Sequence, residues 1–199
     1  RVEVVNFDQL PPDELVRFDP PGSHWKDGFM VPKMIGEAEC IVATPCLKTH
    51  QFARFFTMAF KLAVGIVPKT NNSYMNELHG SPHIRKMIAE INSAYHPDLI
   101  VMDGLEAFVE QGPMTGKRKH AGLFLAGTDR IAIDAVGLAV LKELGSTPEV
   151  MDTAIFEQEQ IARAIELGLG VDAADKIEII AGDDESADYA EKIGSILYA

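Results

Sequence analysis

Gly122-Leu123-Phe124-Leu125-Ala126-Gly127-Thr128-Asp129-Arg130-Ile131-Ala132-Ile133-Asp134-Ala135-Val136-Gly137-Leu138 is the stretch that decides the fold class. Residues 122–126 form a short apolar run closed by Gly127, the pattern of a strand. Thr128-Asp129 then supplies a helix start, and the periodic run continues over 130–144. That helix is apolar nearly all round, so it belongs in an interior. A strand running straight into a buried helix is the unit of a layered α/β protein.

Working outward, apolar runs over 2–6, 40–44, 99–102, 105–109 and 176–181 also read as strands. Helical periodicity falls over 52–64, 82–95, 155–167 and 186–197. Ser81-Pro82 offers a second helix start, and Gly145 and Gly168 sit where helices stop. Strands alternating with helices predict a single α/β domain over 1–199, its largely parallel or mixed sheet flanked by helices. Residues 7–31 and 68–79 are long connections, of the length that is functional or mobile.

Composition narrows the function classes. The 199 residues are 47% hydrophobic and 24% charged, which is globular rather than disordered or fibrous. No apolar run is long enough to span a membrane as a helix. The net charge of −12 repels phosphate backbones, so no nucleic-acid partner is expected. Residues 146–199 hold 13 acids against three bases, which reads most simply as a solvated face. Cys40 and Cys46 flank an extended run of roughly 20 Å, beyond the ~7 Å that a disulfide allows. Free thiols favour a reducing compartment, the cytoplasm above others, and two cysteines cannot hold a four-thiolate iron–sulfur cluster within this chain. The chain opens on Arg1, with no signal-peptide pattern, and is expected to be a fragment of a longer protein whose own N-terminus could carry an export signal.

In open α/β sheets, ligands bind beyond the carboxyl ends of the strands. If the proposed strands are parallel, three such ends deliver Lys48, Thr49 and His50, then Asp103-Gly104, then Thr128-Asp129 to one edge. Lys48 and His50 read equally well as solvated loop residues. Asp103 before Gly104 reads equally well as a turn, and Asp129 as a first-turn acid favoured by the helix dipole. Asp134 lies inside a buried helix, where a carboxylate must be paired, hydrogen-bonded or protonated. Lys61 sits in an almost wholly apolar run, and either snorkels to solvent or faces a partner or ligand. Gly112 to Gly116, ahead of Lys117-Arg118-Lys119-His120, is a glycine-bounded loop whose amides could cradle an anion. The six histidines show no zinc spacing, and no acyl-transfer motif is present.

Taken in order, Pro45-Cys46-Leu47-Lys48-Thr49-His50, Lys61 with Gly65, Leu78-His79-Gly80, Pro97-Asp98-Leu99 through Asp103-Gly104, Gly112-Pro113 with Gly116, Ala126-Gly127-Thr128-Asp129 with Ala132 and Asp134, and Leu167-Gly168-Leu169-Gly170 resemble the DUF362 family over about residues 30–182. The resemblance implies an α/β protein of unassigned activity, from bacteria or archaea. It also implies relatives that carry a ferredoxin-like cysteine module, some with export signals, and a further N-terminal α/β portion. It adds His79 to the polar positions already selected. Leu62 departs from the pattern, which places Asn after the lysine.

Two functions remain open at this stage. The first is an enzyme-like domain for a small anionic ligand or divalent metal. Lys48, Thr49, Lys61, His79, Gly112, Gly116 and Asp134 would bind, and His50, Asp103 or Asp129 would move protons, with Asp103 and Asp129 also candidate metal ligands. The second is a non-catalytic docking module for an iron–sulfur or redox partner, which predicts an exposed apolar patch. A third reading makes the buried charges architectural, Lys61 pairing with Asp134 or Asp103.

Overall fold

The structure, a computed structural model, describes residues 2–51, 55–69 and 73–199. Its strands are β1 (Leu15–Phe18), β2 (Phe29–Pro32), β3 (Val42–Ala43), β4 (Cys46–Thr49), β5 (Phe56–Thr57), β6 (Leu99–Gln111) and β7 (Gly116–Gly127). Its helices are α1 (Lys33–Glu37), α2 (Ala59–Leu62), α3 (Ser73–Gly80), α4 (Ile84–Ile91), α5 (Arg130–Leu144), α6 (Pro148–Met151), α7 (Glu159–Glu166) and α8 (Asp184–Leu197). The central sheet is mixed. β3 and β4 lie parallel to β6, while β5 runs antiparallel to β4 and β7 antiparallel to β6. Helix α5 packs on β6 and β7, with α2, α7 and α8 against it, so the layered α/β class holds.

The sheet explains itself through β6. Ile100, Met102 and Gly104 turn inward, then Ala107 and Val109, so the alternation slips by one residue between them. A register shift against β7 between Gly104 and Glu106 absorbs the slip as a bulge. Sequence reading made two strands of this one, because Asp103-Gly104 resembles a turn and the hydrophobic phase breaks there. Gly104 is needed for closeness: a Cβ there would meet the Leu123 side chain at 2.7 Å and its carbonyl oxygen at 3.1 Å.

Other sequence expectations shift. Residues 2–6 form no strand, and the run at 40–44 supplies only β3, with β4 following after Pro45. Residues 176–181 keep the burial alternation of a strand but form no ladder. They face β7 and α5 across a shallow trough lined by Leu125, Val136 and Ile179. Of the helix expected over 52–64, residues 52–54 lie outside the described residues, and the rest divides into β5, α2 and a 3-10 turn, Ala63–Ile66. Helix α4 starts at Ile84, two residues past the expected Pro82; Ser81 Oγ accepts from the His83 amide instead of capping. The 155–167 run splits into a 3-10 turn, Ile155–Glu157, and α7. Asp129 does cap α5, accepting from the Ala132 amide at 2.9 Å, and Gly145 (φ 75°) ends it. Cys40 and Cys46 are free and exposed.

The long connection before α1 is pinned rather than loose. Buried Glu90 on α4 accepts from the His24 amide at 2.9 Å, meets His24 Nδ1 at 2.6 Å and pairs with Arg163 of α7 at 3.0 Å. Trp25 Nε1 donates to the Met87 carbonyl at 3.2 Å.

Closeness between α5 and α2 is set by Gly137, where a Cβ would sit 2.5 Å from Met58 Sδ and 3.3 Å from Leu47 Cδ1. Gly137→Val is therefore expected to destabilise the fold by about 2 kcal/mol, lowering Tm by about 4–8 °C in thermal denaturation. An unchanged Tm would contradict this packing.

Candidate functional site

Strand β4 alternates: Leu47 and Thr49 are fully buried, while Cys46 and Lys48 face the other way. Its antiparallel partner β5 pairs Thr57 with Lys48, and the chain turns at Met58 into α2, which carries Lys61 one residue beyond buried Phe60. The 3-10 turn then brings the chain to Lys69, whose amide donates to Asp8 Oδ1 at 2.7 Å. Cys46, Lys48, His50, Thr57, Lys61 and Lys69 thereby line one cleft of about 300 Å³, with Pro113 on its rim.

Three ammonium groups thus share a cleft in a protein of net charge −12. No carboxylate lines it, and none of the three lysines has an ion pair or hydrogen-bonded side chain among the described residues. Burial, reinforced by the charges of Lys48 and Lys69, brings the Lys61 amine down to about 8. The Thr57 hydroxyl, in the same lining, is buried without a partner among the described residues. Such an arrangement attracts an anion with acceptor oxygens, since one negative group would relieve the repulsion and satisfy a stranded donor.

Asp134 is the support beneath it. The carboxylate is wholly buried and accepts from the Ala59 amide at 2.7 Å and the Phe60 amide at 3.2 Å, the first two residues of α2. Asn92 holds the same helix from the other side, donating to the Phe60 carbonyl at 3.0 Å; Arg130 donates to the Asn92 side chain at 3.1 Å and to the Tyr95 carbonyl at 2.9 Å. Asp134 therefore pairs with backbone amides and not with Lys61, contrary to the architectural pairing weighed from sequence.

The remaining sequence-selected residues do not line this cleft. The Thr49 hydroxyl shares its proton between the Phe108 and Gln111 carbonyls at 3.1 and 2.9 Å, closing β4 onto the hairpin end. Gly112 (φ 85°) donates its amide to the Thr115 carbonyl at 2.7 Å, and a Cβ there would crowd the Thr49 carbonyl at 3.1 Å. Gly116 (φ 140°) lies so near the Glu110 carbonyl that a Cβ would fall 2.2 Å from it. Both glycines answer steric needs of the β6–β7 turn. Asp103 sits mid-strand beside Cys46 and Phe124, its Oδ1 accepting from the Leu105 amide at 2.9 Å. Because β7 returns antiparallel, Asp129 emerges at the opposite end of the hairpin from its turn, where Oδ2 accepts from the Val171 amide at 2.8 Å. His79 lies on α3, with Nδ1 2.8 Å from the Met75 carbonyl. The cleft thus unites Lys48, His50 and Lys61 from the expected set and adds Lys69, Thr57 and Cys46. A larger hollow of about 790 Å³, shared at His50, is lined by Glu110, Gln111 and Glu149. Gln111 there takes φ 61°, uncommon for a residue with a side chain. Among the described residues, no group of three or more His, Cys, Asp or Glu is placed to hold a metal ion.

Burial raises the Asp134 carboxyl to about 7, opposed by the two amide bonds and the Arg130 charge. A raised folded-state pKa means that the native chain holds a proton the unfolded chain releases. The stability this group lends is therefore full below about pH 4 and is lost as pH rises through about 7. Urea denaturation should find the advantage of the native chain over Asp134→Asn larger at about pH 5 than at about pH 8. Equal differences at both pH values would contradict it.

The family model described as a domain of unknown function, DUF362, matches residues 1–139. The match takes in the cleft, its Asp134 support and the hairpin, and stops short of the Leu167-Gly168-Leu169-Gly170 segment. A thylakoid-associated protein of Synechocystis is 32% identical over 108 residues, covering 53% of this chain and 33% of that relative. The chain thus spans about a third of the length of the curated relative it matches. No solved structure matches. With more than two thirds of its length inside the family model, the chain belongs to the DUF362 family.

Proposed function

We propose that this chain is an enzyme-like domain that binds a small anionic ligand in the cleft between β4, β5 and α2. The observation that carries the reading is the meeting of Lys48, Lys61 and Lys69 without a carboxylate in the cleft lining. Lys48 and Lys69 hold the negative charge, Thr57 supplies a hydroxyl donor, and His50, at the mouth shared with the larger hollow, is the group for proton transfer. Asp134 positions rather than touches, through α2. Asp103 and Asp129 are not part of this proposal, since neither lines the cleft.

A docking role draws on a different feature. The outward face of the sheet exposes Val42, Leu99, Leu105 and Phe124, the last at 61%. Parallel pairing is commonly covered on both faces. A partner polypeptide, the iron–sulfur or redox partner implied by the resemblance included, would seat there. Among the described residues no helix is long and apolar enough to cross a membrane.

Isothermal titration with pyrophosphate and with small carboxylates separates the two. Saturable binding is expected, weakened at least about tenfold, or ~1.4 kcal/mol, by Lys48→Ala or Lys61→Ala. Lys176→Ala, at an exposed lysine paired with Asp172, should leave it unchanged. Absence of saturable binding, or equal losses in all three variants, would overturn the anion site.

A further inference from the structure

We propose that Lys61 is a nucleophile, and that its ε-amine forms an imine with a small carbonyl compound bearing a carboxylate, of the 2-oxo acid class. The inference rests on the anion-site reading and names the substrate class and the reacting atom within it. Three lysines lining one cleft are more than a single small carboxylate needs. Lys48 is fixed on β4 and Lys69 enters past the 3-10 turn, so a carboxylate held by these two would lie beside Lys61. Lys61 is also anchored on buried structure, following Phe60 on a helix clamped by Asp134 and Asn92.

The energetics point the same way. An ammonium kept half-buried beside two like charges, with no carboxylate answering it in the cleft, costs stability. A purely structural role would be met better by methionine. The arrangement that is poor for stability is good for nucleophilicity, since an amine near other cations loses its proton more readily. With an amine at about 8, roughly one-tenth is neutral at pH 7, far more than for an ordinary lysine.

The step balances without redox chemistry. The neutral Lys61 Nζ adds its lone pair to the carbonyl carbon, and the carbonyl π pair passes to oxygen, which takes a proton. His50 lines the same cleft and is placed to relay it. The nitrogen loses a proton, and the hydroxyl takes a second one. The hydroxyl leaves as water as the nitrogen lone pair forms the C=N bond, and the resulting iminium returns a proton to give the imine. One amine and one carbonyl give one imine and one water.

The test is reductive trapping. The chain is incubated with pyruvate and sodium borohydride, and intact mass and peptide mapping follow. A single reduced pyruvate adduct is expected, at least tenfold enriched at Lys61 over other lysines, and absent from Lys61→Arg and Lys61→Met. Lys61→Met should also raise Tm, which shows that lost trapping is not lost folding. Adducts spread evenly over surface lysines, or none at Lys61, would overturn the imine. Titration with pyrophosphate on the same preparation distinguishes the two failures: binding retained without trapping removes only the nucleophile, and neither removes the anion site as well.

Discussion

The Asp134 carboxylate and the two amides it receives, from Ala59 and Phe60, are the interaction on which the site depends. Helix α2 has four residues, too few to persist by its own hydrogen bonds. It is held because a buried side chain from α5 satisfies its first amides while Asn92 satisfies the Phe60 carbonyl. The route is short: α5 fixes Asp134, Asp134 fixes α2, and α2 carries Lys61 to the cleft. Gly137 completes it by letting α5 approach Met58 and Leu47.

Charge placement follows from the same geometry. The chain as a whole is acidic, yet the acids gather toward the C-terminal third while the cleft collects lysines from β4, α2 and the segment after the 3-10 turn. Local potential is set by nearest groups and low-dielectric walls more than by the sum. An acidic protein can therefore present a cationic pocket, and the overall charge discourages long anionic polymers more than small anions.

Much of this was legible in the sequence, and the rest was hidden for identifiable reasons. The run from Leu123 through Leu138 announced a strand, a cap and a buried helix because each has a local signature, and Asp129 and Gly145 stand where that reading put them. Asp134 and Lys61 were singled out as charges among apolar neighbours, but the partners of Asp134 are backbone amides 75 and 74 positions away, which no side-chain pattern encodes. The direction of β7 was missed because periodicity is the same for parallel and antiparallel strands. Its first half, Lys117-Arg118-Lys119-His120, is largely exposed and so shows no hydrophobic alternation to mark a hairpin. That error brought Asp129 to an edge it does not share with Lys48. Lys69 follows Pro68 in a stretch without periodicity, where an isolated lysine carries no signal of its own.

Direct titration of the lysines by carbon-13 NMR at Cε tests the account most closely, since convergence of unpaired cations around a half-buried Lys61 is its centre. The resonance lost in Lys61→Met is predicted to titrate near 8 in the native chain. A Lys61 resonance titrating at the ordinary lysine value of about 10.4 would contradict it.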